Sequence, residues 1–586
     1  MKWLIKFVTY ALLLLLLLFI FAYIGLQTRL GASYSSQFLS QFTRYDINVG
    51  VMGHEFSNPG EFIFQDVKLS SEDKNLALDA RQIVVDINWR NLFSGNAIRR
   101  FVITQGDLSA AITQGEMPLP ITADILQFEN SKILLKQGDD DIQVDGFTGG
   151  ITPWQPTVNS PFGYGDFRFT ANQLKMNKLS LKNVAVTGKR QTQATEISKA
   201  SAYLNNGYVS GEGKLFADGS ITIGSLIMNK VGWENSIDFD TLFTAIKSDR
   251  TIKIKNLELA NIDIQGKDWA LSGLSTEIDH LDLVRGSWSS PKSKISFNVE
   301  QLVVKNQQLS TLIGELNIDG DALNIDKLSG YYNKGVFNLN GTWQRNDQVL
   351  TINEGKLAGI LYTLPETWLS FLAEPAPAWL SGLSIKKFSL SQSLLMNIQP
   401  EFPFEFTALS ANIENVDLVK QKQWGVWSGK ATFNADSGTI NQVPVRRPFL
   451  EVRQSGKSSA AASLTVSTDK GISKIGLLVK QTPNKVPFLL RASGSNIDLT
   501  DLNQWGWSGF PAQVIGDFDA TLQGDLLAPS LSKSLNGELM AVPFQGKRMF
   551  RTVVNGVVTS SVETEAEQPP MEGAILQEEV PVLGTP

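Results

Sequence analysis

Apolar and polar residues alternate over short stretches through most of this chain, the two-residue period of strands with one dry face and one wet face. Ile83, Val85 and Ile87 form one such stripe, continued by Trp89, with Gln82, Asp86 and Asn88 falling mostly on the other side. Phe167 with Phe169, Ile221 with Ile223, Ile252 with Ile254, Ile262 with Ile264, Phe337 with Leu339 and Phe518 with Leu522 repeat the pattern. Between the stripes stand turn formers: Asn58-Pro59-Gly60, Gln137-Gly138-Asp139, Asn206-Gly207, Asp218-Gly219, Asp319-Gly320, Asn340-Gly341 and Asp436-Ser437-Gly438. Such pairs supply the positive φ angles of tight turns, so the pattern predicts a succession of hairpins. About thirty or more strands result, far beyond the roughly four to six of one ordinary sheet.

No set of amphipathic helices accompanies these strands to cover their apolar faces. Residues 31–42 and 367–373 are short helical candidates, the second following a proline, and neither is large enough to shield several hundred residues of strand. The expected fold is therefore mainly β: an elongated, curled sheet that folds over on itself with few short helices, its interior either packed with side chains or open to an apolar ligand. No fixed-length repeat is present, so the periodicity is structural rather than literal.

The amino terminus breaks the pattern. Residues 7–26 carry no charge and include seven consecutive leucines, enough as a helix to cross a hydrocarbon core of about 30 Å. Phe7, Leu12, Leu18, Phe21 and Leu26 mark this span, and Ala22-Tyr23-Ile24 makes a poor cleavage site, so the segment reads as a retained anchor rather than a signal peptide. Lys2 and Lys6 precede it and only Arg29 follows closely, which by the positive-inside bias places residues 1–6 in the cytoplasm and the rest outside. The expected organisation is a cytoplasmic 1–6, a transmembrane 7–26, a β-region over 27–555 and a disordered acidic tail over 556–586.

Charge and composition narrow the partners. The net charge is −6, and Glu563, Glu565, Glu567, Glu572, Glu578 and Glu579 account for it, leaving a neutral body with no basic footprint for nucleic acid. The absence of cysteine removes disulfides, thiolate metal sites and cysteine nucleophiles. His54 and His280 are the only histidines and lie far apart in sequence, so neither is assigned a role. Asp139-Asp140-Asp141 lacks the spaced oxygen ligands of a calcium loop and reads as a solvated turn. Ser384 with Lys387, Ser467 with Lys470 and Ser530 with Lys533 share a Ser-x-x-Lys spacing that recurs without discrimination. No nucleophile elbow, phosphate loop or zinc-binding helix signature occurs, so neither enzyme activity nor a cofactor or metal is expected.

More particular strings carry a resemblance. The anchor, Leu26-Gln27-Thr28-Arg29-Leu30-Gly31 and the strand series from Phe62 to Leu108 resemble the opening of the AsmA family of envelope proteins. Further along the chain, Ile151-Thr152-Pro153-Trp154-Gln155-Pro156, Asp268-Trp269-Ala270, Ala358-Gly359-Ile360-Leu361-Tyr362-Thr363-Leu364-Pro365, Trp424-Gly425-Val426-Trp427-Ser428-Gly429, Val445-Arg446-Arg447-Pro448 and Gln504-Trp505-Gly506-Trp507 are more particular strings similar to those of one branch of the same family. Tryptophan is rare, and several tryptophan-centred strings in one order are more specific than any hydrophobic pattern. The likeness runs to about residue 555. It implies a single-pass inner-membrane protein whose periplasmic part is a curled β-groove of the type proposed to conduct lipids between membranes.

Two functions follow as expectations. In the first, the sheet binds or conducts phospholipid acyl chains for outer-membrane lipid homeostasis, lined by Ile83, Val85, Ile87, Phe167, Phe169, Ile252, Ile254, Phe337 and Leu339. In the second, a structural or regulatory envelope factor with a dry interior influences outer-membrane protein assembly through contacts with envelope proteins. Trp424, Trp427, Trp505 and Trp507 read as strand packing or turn plugs in preference to lipid contacts.

Overall fold

The computed structural model describes the chain except for residues 1, 43–44, 72–75, 92–96, 112–121, 138–139, 156–162, 178, 242–249, 285–286, 289–290, 483–484 and 563–586. An apolar helix, α1 (Lys2–Leu26), opens the chain with its side chains from Phe7 to Leu18 exposed along the whole run. A second helix, α2 (Arg29–Phe42), follows at once, its entry fixed by Thr28, whose hydroxyl accepts the Gly31 N–H at 3.3 Å. Strands dominate thereafter, 34 of them among the described residues. The chain divides into two compact units, residues 1–330 and 331–586.

In the first unit β1 (Tyr45–His54), β2 (Glu61–Ser71), β3 (Leu76–Ile87) and β4 (Ile98–Ala111) run antiparallel in sequence order. Helix α2 lies along the outer edge of β1. Ser36 and Ser40, one helical turn apart, accept the N–H groups of Val49 and Ile47 at 2.9 Å each, and Ser36 also donates to the Ala32 carbonyl. These serines close a sheet edge that would otherwise offer unpaired amides to another chain.

The expected run of hairpins is interrupted. β4 pairs in parallel with β5 (Ala123–Gln137), the strand Ile221–Asn229 with Ile252–Gln265, and in the second unit Val349–Ala358 with Gly382–Asn397. Parallel neighbours need a crossover connection rather than a tight turn, and in the second unit residues 364–381 provide it, with a single 3-10 turn at Ser370–Leu372 inside the helical candidate. Asn340-Gly341 is not a turn. It sits within the strand Gly335–Gln344 at a register shift, where the Asn340 side chain accepts the Glu354 N–H. Asp436 is a bend between two short strands that both pair with Phe404–Lys420. The tail boundary at 556 also moves, because Asn555 and Gly556, both at positive φ, turn the chain into a last strand, Val557–Val562.

What folds the sheet over is a bend inside the long strands. Asp66, Gln105, Asn130, Asn183 and Asn261 take φ angles of 45–54° in mid-strand, a region that short polar side chains enter most readily. At each, the ladder skips a residue: Val49 pairs with Val67 but Val51 with Gln65, and Ala80 pairs with Gly106 but Gln82 with Thr104. The skip inverts the alternation. In β2 the inward residues are Phe62 and Phe64 before the bend and Val67 and Leu69 after it; in β4 they are Phe101 and Ile103, then Gly106 and Leu108. Residues from both arms, such as Val67, Leu78 and Ala80 with Ile83, Ile103 and Phe128, meet in one buried cluster.

The bend leaves amides without ladder partners, and side chains on the next strand take them up. Ser131 accepts the Gly106 N–H at 3.1 Å, Thr148 that of Asn130 at 3.0 Å, Ser275 that of Asn261 at 3.2 Å, and Asp517 that of Asn496 at 2.9 Å. Ser131 is 1% exposed, so Ser131→Ala leaves the Gly106 amide buried and unsatisfied at a cost of about 1–3 kcal/mol. Amide exchange in β4 and β5 is expected to accelerate accordingly in this variant, while exchange in Ile472–Lys480 stays unchanged; equal protection in the two proteins would refute the role given to Ser131.

Candidate functional site

Because the bends invert the alternation in neighbouring strands together, the register lines up apolar side chains into rows that cross the strands. In the first unit one row reads Met52, Phe64, Ile83, Ile103, Phe128, Gly149, Phe169, Val186, Ala200, Gly211, Leu226, Leu257, Ile278, Ile295, Leu316, each residue paired with the next. No polar residue interrupts it. A second row runs beside it: His54, Phe62, Val85, Phe101, Leu126, Ile151, Phe167, Gly188, Ile197, Gly213, Ile223, Ile254, Leu281. With neighbouring strands about 4.8 Å apart, the first row extends roughly 65 Å.

The second unit repeats the device. Leu339, Gly355, Phe388, Ile413, Ala431, Val452, Ala462, Leu477, Leu490, Leu522, Gly537 and Val553 form one continuous row. Phe337, Leu357, Leu390, Ala411, Phe433, Leu450, Leu464, Ile475, Ala492, Ala520 and Leu539 form another, which ends on Arg551. The row between them, on the opposite face, is Asn338, Lys356, Ser389, Asn412, Thr432, Glu451, Ser463, Gly476, Arg491, Thr521, Glu538 and Thr552. Along these rows, up to Arg551, the sheet is apolar on one face and polar on the other.

Two of the glycines in the rows lie beneath a partner's ring. Gly188 pairs with Phe167 and Gly355 with Phe388, and a Cβ on either glycine would stand 2.6 and 2.5 Å from the ring of its partner, so each ring lies over its glycine and keeps the surface apolar.

The stripes named from sequence fall on these rows: Ile83 and Phe169 on the first, Val85, Phe167 and Ile254 on the second, Phe337 and Leu339 heading the two rows of the other unit. Ile252 pairs with Ile221 and Leu283 beside Ile254, and Ile87 reaches a cavity at the head of the rows. Coverage varies along the rows. Ile83, Ile103 and Phe128 are only 4–6% exposed, whereas Leu226, Leu257, Ile278, Ile295 and Leu316 are half-buried, as are Phe337, Leu339, Phe388 and Ile413. Among the described residues, none of these half-buried side chains belongs to a buried apolar cluster or packs against one.

The head of the first unit's rows adjoins the anchor. A cavity of about 500 Å³ lies between Ala32, Tyr34, Ser35 and Phe38 of α2 and Val49, Met52, Phe62, Phe64 and Ile87 of β1–β3. His54 ties the two parts together. The Tyr23 hydroxyl, near the end of α1, lies 2.8 Å from His54 Nδ1 and donates to the His54 carbonyl at 3.0 Å, while His54 Nε2 lies 3.2 Å from the Pro59 carbonyl. The other histidine, His280, is a bend residue at φ 55° whose carbonyl accepts the Ser293 hydroxyl.

The far end of the second unit is closed. Leu499, Leu502, Trp507 and Phe510, from residues 499–513, pack on Phe518, Ala520, Leu539 and Val553 at the ends of the rows. Arg551 holds this plug: it donates to the Ser508 and Gly509 carbonyls at 2.9 and 2.7 Å and lies 4.5 Å from the centre of the Phe510 ring. Trp505 donates to the Ile440 carbonyl, Trp427 to that of Gln423, and Trp424 packs by Ala376, Leu380 and Val419. The tryptophans are therefore plug and packing residues. Ser384 donates to Asp417, Asp141 is exposed, and Asp139 lies outside the described residues.

Sequence reading missed Arg551, Ser36, Ser40 and the bend residues. The bends do leave a signal: an apolar alternation that slips by one residue at an Asn, Asp, Gln or Gly.

No protein-family profile matches the chain. The chain is 28% identical over 569 residues to the AsmA family protein YicH of Escherichia coli (strain K12), an alignment that covers 97% of this chain and all of that protein.

Asp501 opens the short helix Asp501–Gln504 of the plug. Burial, with Asp498 and Asp469 nearby, pushes its carboxyl up to about 6, against the opposing pull of Lys470. A carboxyl raised in the folded state stabilises least when ionised, so its contribution is fully present below about pH 4 and is lost as pH rises through about 6. The plug is expected to loosen over that interval, read as amide exchange of residues 499–513, and Asp501→Asn should abolish the dependence; an unchanged pH profile in the variant would remove Asp501 as its origin.

Proposed function

This chain is an AsmA-family protein, and on that premise we propose that it binds phospholipid acyl chains along its apolar rows and conducts them across the periplasm in outer-membrane lipid homeostasis. On this reading α1 is held in the inner membrane with Lys2 and Lys6 in the cytoplasm, and the β-units stand in the periplasm. The protein acts as a passive scaffold and not as an enzyme, with phospholipid as its partner and no cofactor.

The observation that carries the reading is the unbroken apolar character of the rows where they are half-buried. A soluble sheet buries such a face under a second layer, whereas Leu226, Leu257, Ile278, Ile295 and Leu316 stay half-buried and join no buried cluster of the described residues. Each methylene moved from water onto this surface contributes up to about 0.8 kcal/mol, and where the row is half-buried, successive positions without polar interruptions offer similar affinity. That is the condition for a chain to slide rather than stop. The packed plug over the last strands of the second unit favours a second reading, an envelope factor with a dry interior, for that end alone.

Photo-crosslinking separates the two. With p-benzoylphenylalanine in place of Ile254, Phe337 or Leu339, phospholipid adducts are expected from cells; in place of Lys253 or Asn338 on the other face, none. Adducts on neither face would leave the dry scaffold. The chain lacks cysteine, so Lys2→Cys and Gln421→Cys report topology: only the second should react with an impermeant maleimide in cells with a permeabilised outer membrane.

A further inference from the structure

Helix α2 carries two faces with different partners. Ser36 and Ser40 face β1 and seal its edge, whereas Leu30, Tyr34 and Phe38, spaced four residues apart on one side, are 74%, 70% and 61% exposed. An exposed apolar stripe on a helix that begins directly after a membrane span is the pattern of a helix lying in the membrane interface. Aromatic rings, the residue type enriched at headgroup depth, gather beside the end of α1: Tyr23 lies 4.6 Å from Phe56, and Trp89, half exposed, donates to the Pro59 carbonyl.

Tyr34 and Phe38 belong to both environments. They are part of the outward stripe, and they also line the cavity whose floor is Met52 and Phe64, which open the first row, and Phe62, which follows His54 in the second. The cavity of about 500 Å³ is lined almost wholly by apolar side chains, a setting in which a hydrocarbon chain gains by leaving water. We infer that Tyr34 and Phe38 form the doorway through which a single acyl chain of a bilayer phospholipid leaves the membrane and comes to lie across the head of the rows. The headgroup stays in water and the second chain stays in the bilayer until the first is seated. This inference rests on the lipid-conducting reading and adds to it where loading occurs and which residues control it.

The test uses the full chain in phosphatidylethanolamine–phosphatidylglycerol bilayers, with p-benzoylphenylalanine at Ile254, well along the second row, as the reporter of loading. Tyr34→Asp with Phe38→Asp should lower the lipid adduct at Ile254 at least tenfold, while Tyr34→Phe with Phe38→Leu should keep it within twofold. A reporter at Phe38 itself should capture lipid in the otherwise unaltered chain. Unchanged loading at Ile254 in the double aspartate variant, with its β-sheet circular dichroism intact, would overturn the doorway and leave lipid conduction standing. No adduct at Ile254 in the unsubstituted background would overturn conduction, and the doorway with it.

Discussion

A strand that bends back on itself must break its own hydrogen-bond ladder, and the fate of the amides left at that break governs everything else in this fold. A buried amide without an acceptor costs about 1–3 kcal/mol, and strands of the first unit from β2 to Gln307–Asp319 carry such bends at Asp66, Gln105, Asn130, Gly146, Asn183, Asn261, Gly273 and Thr311. At four of these bends the neighbouring strand supplies the acceptor: Ser131 for the Gly106 amide beside Gln105, Thr148 for Asn130, Ser275 for Asn261, and Asp263 for the Gly273 amide at 2.9 Å. An acceptor supplied by a neighbour works only if the two bends lie side by side. The polar contacts at the bends therefore lock adjacent strands in register.

Register in turn makes the apolar rows. Alternation would place half of each stripe on the wrong face once the strand had turned, but a left-handed residue at the bend slips the pattern by one and returns the second arm's apolar residues to the interior. Strand Phe404–Lys420 does this twice, with Phe404 and Phe406, then Leu409, Ala411 and Ile413 beyond Ala408, then Val416 and Leu418 beyond Asn415. The surface produced is continuous within each unit and, along the second unit's rows, polar behind it. Where it is half-buried it carries a standing cost of about 25 cal/mol for each Å² of apolar area left in water, which hydrocarbon lying along the rows would relieve.

The alternation of Ile83, Val85 and Ile87 and the uninterrupted run from Phe7 to Leu26 were legible in sequence because each depends on local period alone. The parallel pairs were not, since β4 and β5 carry the same stripe whichever way they run and only the path of the connection decides. Nor was Asn340-Gly341, whose dipeptide suits a two-residue turn and a bulge equally well. The rows themselves depend on residues far apart in the chain meeting in register, so sequence named members such as Phe169 and Ile254 without their order. Arg551 escaped notice for a related reason: a lone arginine in a strand reads as solvated until Ser508, Gly509 and Phe510 are brought against it.

The two ways in which row ends are finished differ in how firmly they hold. The head of the first unit is braced by neutral contacts, Tyr23 on His54 and Ser36 and Ser40 on β1, around a cavity that stays open. At the last strands of the second unit the side chains of Leu499, Leu502, Trp507 and Phe510 occupy the surface that the rows present, in the manner of a bound hydrocarbon, and the Arg551 guanidinium and the Asn503 amide fasten the segment through its backbone. Beneath that packing sits Asp501, whose charged form burial opposes. Apolar burial and an ionised carboxylate thus act against each other within one short segment. The plug is held by the same kind of surface that the rows offer along their length, and its own carboxylate sets how tightly.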